Sequence, residues 1–127
     1  MIYTVVVQGR FASLNQYISA LKVRRGKYNK GWQMKKDDME YLSEFIKSTF
    51  NNSKPNVPIR LDYRFYEENK KRDLDNIASY FHKIFQDCLQ ECGVIDNDNW
   101  GYVVGFTDSF YIDRDKPRIE IDIVEIP

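Results

Sequence analysis

Residues 57–93, VPIRLDYRFYEENKKRDLDNIASYFHKIFQDCLQECG, carry two different hydrophobic periods in succession. Over Val57–Tyr66 the apolar residues Ile59, Leu61, Tyr63 and Phe65 alternate with Arg60, Asp62 and Arg64. A period of two predicts a strand with one buried and one polar face. The period then changes. Ile77, Tyr80, Phe81, Ile84, Phe85, Cys88, Leu89 and Cys92 fall three and four apart, which predicts an amphipathic helix, and Gly93 follows as its C-terminal stop. A strand that feeds such a helix and then another strand is expected to build a parallel pair.

Working outward, Ile2–Val7 is a β-branched run closed by Gln8-Gly9, which predicts a first strand. Ser13-Leu14-Asn15 is a turn or helix cap, followed at helical spacing by Tyr17, Ile18 and Leu21. The pattern breaks around Arg25-Gly26 and Lys30-Gly31, and a second helix is expected over Met34–Phe50. Residues 51–56 form a polar loop, and Asp96–Asn99 an acidic turn. A strand lies within Tyr102–Ile112, and Arg118–Val124 alternates as Ile119, Ile121, Ile123. Asp113–Pro117 reads as a hairpin loop that pairs these last two strands antiparallel. The order β-α-α-β-α-β-β predicts a mixed α+β (α/β) fold with a single mixed four-stranded sheet and helices packed on it. No repeat or linker divides residues 1–127, so a single domain is expected.

Of the 127 residues 43% are hydrophobic, 15% aromatic and 30% charged. That is too apolar for a disordered chain, and no apolar run approaches the roughly 18 residues of a membrane span. The opening MIYTVVVQGR has no basic leader and reads as a strand. These features point to an intracellular, cytoplasmic protein. Cys88 and Cys92, alone and four apart on the helix stripe, are core thiols rather than half of a zinc site.

The net charge of zero hides an asymmetry. Residues 1–36 hold eight cations (Arg10, Lys22, Arg24, Arg25, Lys27, Lys30, Lys35, Lys36) and no acid. Residues 37–72 hold seven of each sign, and residues 73–127 hold four basic and twelve acidic residues. Either the charges intermix in space, or one part of the molecule faces a polyanion.

Lys70-Lys71-Arg72-Asp73-Leu74-Asp75-Asn76 runs three cations into two carboxylates between strand and helix. On extended backbone residues two apart point the same way, so Asp73 and Asp75 could share one Mg²⁺, with Mn²⁺ as an alternative hard ion. The plainer reading has Asp75 cap the helix and Asp73 as a solvated loop acid. A second acidic group, Asp96 and Asp98, follows the helix. In a strand–helix–strand unit that turn usually lies at the end opposite Asp73. His82, the one histidine, sits on the helix's polar side and reads as solvated rather than as a general base.

Arg72-Asp73-Leu74-Asp75-Asn76 opening an amphipathic helix, a lysine within it, and Gly93-Val94-Ile95 with an acid beyond resemble the RusA family of Holliday junction resolvases, small phage-associated endonucleases. Ser13-Leu14-Asn15-Gln16-Tyr17 is similar to that family's turn after the first strand, and Lys116–Ile121 to its last strand. The resemblance implies a structure-specific, Mg²⁺-dependent endodeoxyribonuclease of bacterial cytoplasm, or of a prophage there. Its implied catalytic acids and metal ligands are Asp73, Asp75 and Asp98, with Asp96 a rival for the last. The family's catalytic lysine falls at Ser79 here. Lys83, one helical turn on, either takes its role or is an ordinary surface lysine. The reaction would be phosphodiester hydrolysis, with Lys83 and Arg72 as cations for the transition state. Lys70, Lys71, Arg72, Asn15, Arg24, Arg25 and Lys27 are the expected DNA contacts. Two matched cuts in a four-way junction imply a C2 homodimer. No membrane and no small-molecule cofactor is expected. The rival functions are a flap or branched-DNA nuclease of the same family, and a DNA-binding module that does not cut.

Overall fold

The computed structural model describes residues 1–127. The elements are β1 (Ile2–Gln8), α1 (Leu14–Leu21), β2 (Arg24–Arg25), β3 (Tyr28–Asn29), α2 (Lys30–Phe50), β4 (Ile59–Glu67), α3 (Leu74–Glu91), β5 (Val103–Ile112) and β6 (Arg118–Glu125). The main sheet is mixed and four-stranded, in the order β1-β6-β4-β5. No helix is long and apolar enough to cross a membrane.

β4 and β5 pair in parallel across α3, as the strand–helix–strand pattern implies. The expected hairpin between β5 and β6 is not there. β4 lies between them, antiparallel to β6 and parallel to β5. The reason is burial: every second residue of β4, from Ile59 through Glu67, is buried, so it takes the centre of the sheet and both its edges are filled. Asp113–Pro117 therefore crosses the end of β4, two strand spacings or about 10 Å. The Asp113 N–H donates to the Glu67 carbonyl there, at 2.8 Å.

All three helices cover one face of the sheet. Val5, Val7, Leu61, Tyr63, Phe65, Ile121 and Ile123 from the strands meet Leu42, Ile46, Phe81, Ile84, Phe85 and Leu89 from α2 and α3. Cys88 lies in that core with its thiol pushed up to about 12 by burial, 4.0 Å from the Cys92 sulfur, and both are free thiols. The opposite face is polar but internally paired. Arg60 holds Asp62, Arg64 bridges Glu120 and Asp122, and Arg118 bridges Asp113 and Glu120 while stacking over Tyr66.

The N-terminal region differs from expectation. α2 begins at Lys30, a turn before Met34, and a small hairpin, β2–β3, fills the region read as a break. Asn29 explains both. Its buried side chain donates to the Leu21 carbonyl (2.9 Å) and accepts from the Trp32 N–H (3.0 Å), tying the end of α1 to the start of α2. Gly31 is required by the same closeness: a Cβ there would lie 2.6 Å from Leu21 Cδ2 and 2.9 Å from its backbone nitrogen.

Candidate active site at the start of helix α3

The loop 68–73 leaves the C-terminal end of β4 and delivers Asp73 as the N-cap of α3 and Asp75 into its first turn. Only Asp73 sits on extended backbone (φ −69°, ψ 148°), so the two carboxylates do not share a strand face; they flank the helix start. The capping role read for Asp75 falls by position to Asp73, but the Asp73 side chain makes no cap hydrogen bond. Both acids are exposed and neither forms an ion pair, whereas the acids of the polar sheet face do. Two uncommitted carboxylates suit a hard divalent cation that keeps part of its water. They stand at the positive end of the helix dipole, beside unpaired N–H groups that also favour phosphate.

The loop is held by a buried fork. The Arg72 guanidinium donates from Nε and Nη2 to the two oxygens of Glu67 (both 3.0 Å), and from Nη1 to the Phe11 carbonyl (2.7 Å). Arg10 adds a third donation to Glu67 at 3.2 Å and reaches Glu68 at 2.6 Å. Glu67 is buried and Arg72 partly buried. Arg72, the residue before Asp73, is thus engaged within the chain and is not free in this structure for the phosphate or transition-state contact expected of it. Lys70 and Lys71 remain as the unpaired cations of the loop, both exposed. Sequence reasoning missed Glu67. Its signal was that it continues the inward register of Ile59, Leu61, Tyr63 and Phe65, a carboxylate at a core position five residues before an arginine.

The other expected site residues do not converge here. α3 runs 18 residues, about 27 Å, away from Asp73. The exposed residues Asp96 and Asp98 follow its far end, next to the start of β5, and Asp96 pairs there with Lys54. No three His, Cys, Asp or Glu side chains form a metal-holding group within the chain. The Lys83 ammonium does not lean toward the helix start but lies 3.5 Å from Asp87, one turn further from it, a carboxylate that Lys35 also holds at 2.8 Å. Ser79 donates to the Asp75 carbonyl at 2.7 Å. His82 is not solvated: its Nε2 is 2.7 Å from Asp108 on β5, and its ring packs on Tyr63 and Phe106.

Arg10, Asn15, Gln16 and Arg72 line a groove of about 770 Å³, together with Val23 and Lys30 at the base of the β2–β3 hairpin. Arg24, Arg25 and Lys27 of that hairpin are exposed and free of carboxylate partners.

A family model described as endodeoxyribonuclease RusA matches residues 22–124, from the hairpin to the last strand. None of the curated proteins matches the chain. The match takes in β4, the acid-bearing loop, α3 and the polar turn beyond it, in the order the structure joins them. The chain belongs to the RusA endodeoxyribonuclease family, hydrolases that cut DNA as Holliday junction resolvases.

Proposed function

We propose that the protein is a homodimeric, Mg²⁺-dependent resolvase of four-way DNA junctions, acting in recombination and repair in the bacterial cytoplasm, and that each active site combines Asp73 and Asp75 of one subunit with the partner's Asp98. The observation that carries this is the length of α3 between the acid pair and Asp98. A ligand set split across the ends of one helix closes only between two copies.

β5 supports a way for that to happen. It is an edge strand of ten residues, and on its helix-side face Phe106 and Ile112 stay 54% and 48% exposed. An unpaired edge of this length invites another strand. Antiparallel pairing of β5 with its copy about a two-fold near the strand's midpoint brings Val103 of the partner subunit close to Ile112. Ile112 is in register with Glu67, at the end of β4 from which the acid loop leaves. The partner's Asp98, five residues before the partner's Val103, then comes to the Asp73 end of the sheet.

When bound, a divalent ion (Mg²⁺, or Mn²⁺ in its place) supplies Lewis-acid charge at the scissile phosphate and lowers the pKa of the attacking water. Asp73, Asp75 and the partner's Asp98 hold it through oxygen. The Glu67–Arg72 fork fixes the backbone that presents Asp73. The N–H groups of the first turn of α3 face the phosphate, and Lys70 and Lys71 balance its charge.

The test is complementation. Asp75→Asn and Asp98→Asn are each expected to lose at least about 10²-fold of junction cleavage in Mg²⁺ while still binding the junction. Mixed, they form heterodimers with one intact site, and single-strand nicking returns. If the mixture stays dead, Asp98 does not act across the interface. Running labelled four-way junction, flap and duplex in parallel separates a resolvase from a flap nuclease, and binding without any cutting in Mg²⁺ would reduce the protein to a DNA-binding module.

A further inference from the structure

The β2–β3 hairpin takes no part in the core, yet it is built to be rigid. Asn29 and Gly31 lock its base between α1 and α2, Gly26 turns it at φ +59°, and Lys30 N–H donates to the Val23 carbonyl at 3.0 Å. What it displays is unusual for a solvated turn. Val23, Tyr28 and Trp32 are 43%, 47% and 54% exposed. Lys22, Arg24, Arg25, Lys27, Lys30 and Lys36 stand around them without a carboxylate partner. The Arg24 guanidinium lies over the Trp32 ring, 4.9 Å from its centroid, and Arg25 is the cross-strand neighbour of Tyr28. Cations alone would serve any duplex, since phosphates are the same everywhere along it. Exposed rings set among unpaired cations fit a different ligand, one with free π-faces as well as phosphates. Paired bases inside a duplex offer no free faces; unpaired nucleotides at a branch do.

We infer that the hairpin binds unpaired nucleotides at the branch point, bases stacked on Tyr28 and Trp32 and phosphates held by Arg25, Lys27 and Lys30. This rests on the DNA-cutting reading above and adds to it how branched DNA is told from duplex. Val23 and Lys30, at the base of the hairpin, share the lining of one groove with Arg72, the residue before Asp73.

The experiment measures binding in EDTA, so that cleavage plays no part. The probes are a junction with two unpaired 2-aminopurines at its centre, a single strand, and a fully paired duplex of equal length. The wild-type chain should quench the 2-aminopurine signal and prefer the first two probes. Tyr28→Ala and Trp32→Ala should each weaken binding to those probes by about 5- to 150-fold, the range for loss of one stacked base. Duplex binding should stay within about twofold, and Tyr28→Phe and Trp32→Phe should retain the preference. Equal losses on duplex and unpaired probes, or no loss on either, would overturn the inference. If Trp32→Ala does not fold, by circular dichroism, Tyr28→Ala carries the test, because its ring is exposed and its hydroxyl makes no hydrogen bond. Failure of DNA binding altogether would sink the proposed function. Tight binding without discrimination would sink this inference alone.

Discussion

The molecule carries positive charge in two unlike regions. On the open face of the sheet and at the end of β4, arginines are locked to carboxylates: Arg60 to Asp62, Arg64 to Glu120 and Asp122, Arg118 to Asp113 and Glu120, Arg72 and Arg10 to Glu67. In the hairpin and the start of α2, six of the eight N-terminal cations have no acid within reach; only Arg10 and Lys35 are paired. The intermixing reading holds on one face, where C-terminal acids meet arginines. The N-terminal cations of the hairpin region stay without acid partners, the condition that the polyanion reading needs. Planar guanidinium forks suit fixed carboxylates, and the paired region is arginine-rich for that reason. The free region mixes lysine and arginine around exposed rings.

The largest break of this comparison is at Glu67. Glu67→Leu leaves the partly buried Arg72 without its carboxylate. Losing one partner of a buried pair typically costs about 3–5 kcal/mol, and the lower end applies because Arg10 keeps Glu68. The melting temperature should fall by about 10 °C. Arg25→Gln, in the free region, should move stability by no more than about 0.5 kcal/mol. Equal melting of both variants and wild type, by calorimetry, would erase the distinction between fork and patch.

The free region is then tested by salt. The triple variant Arg24→Gln, Arg25→Gln, Lys27→Gln should lower the slope of log K against log[salt] for junction binding by about three, near one per cation lost. Arg60→Gln, on the paired face, should leave that slope unchanged. A slope that drops for Arg60→Gln would mean that the sheet face, not the hairpin, meets the phosphates.

The paired face answers to pH. Hydrogen bonds from Arg64 hold Asp122 below the usual carboxylate range, and those from Arg118 do the same for Glu120 and Asp113. Folded values below the unfolded ones mean that this stability is fully present above about pH 4.5 and is lost as pH falls through the folded values. Arg64→Met should therefore destabilise by about 1 kcal/mol at pH 7, with the gap to wild type closing toward pH 2 in urea titrations. A gap that persists at pH 2 would assign the loss to packing over the sheet instead.

What the chain's order of residues made legible was local. The alternation of β4, the stripe of α3 and the Ser13 cap, which forms a full capping box with Gln16, are near-neighbour patterns, and they stand. What escaped depended on partners far away in sequence. The β5–β6 hairpin was a reasonable inference from a short loop, but central burial of β4 decides strand order. Arg72 looked like a phosphate contact because its acid, Glu67, sits on the preceding strand and turns inward. His82 looked solvated because Asp108, 26 residues on, lies under it. Asn29 gave no hydrophobic signal at all, yet its buried amide fixes where α2 begins. For the active site, the Asp73–Asp75 pair was visible as a motif, while spacing alone left open whether Asp98 meets it; the 18 residues of α3 put Asp98 past the far end of that helix.

Lys83 makes the smallest expected difference and the finest test of paired against free charge. Its position, one turn beyond Ser79, suits a lysine displaced along the helix but kept in role. Its ammonium instead meets Asp87, with the side chain 66% exposed. A surface pair four residues apart is worth about 0.3–0.5 kcal/mol, and Asp87 keeps Lys35 when Lys83 is removed. Lys83→Ala should then leave kcat for junction cleavage within about a factor of two and stability within about 0.5 kcal/mol. Lys70 and Lys71, unpaired and on the acid-bearing loop, are the cations placed to act on the transition state. Lys70→Ala with Lys71→Ala should lower kcat by about 10²-fold, as removal of a charge-stabilising group does. Single-turnover rates in Mg²⁺ separate the two cases. A 10²-fold fall for Lys83→Ala would mean that its side chain leaves Asp87 when DNA binds, and that a cation paired in the free protein is a free one in the complex.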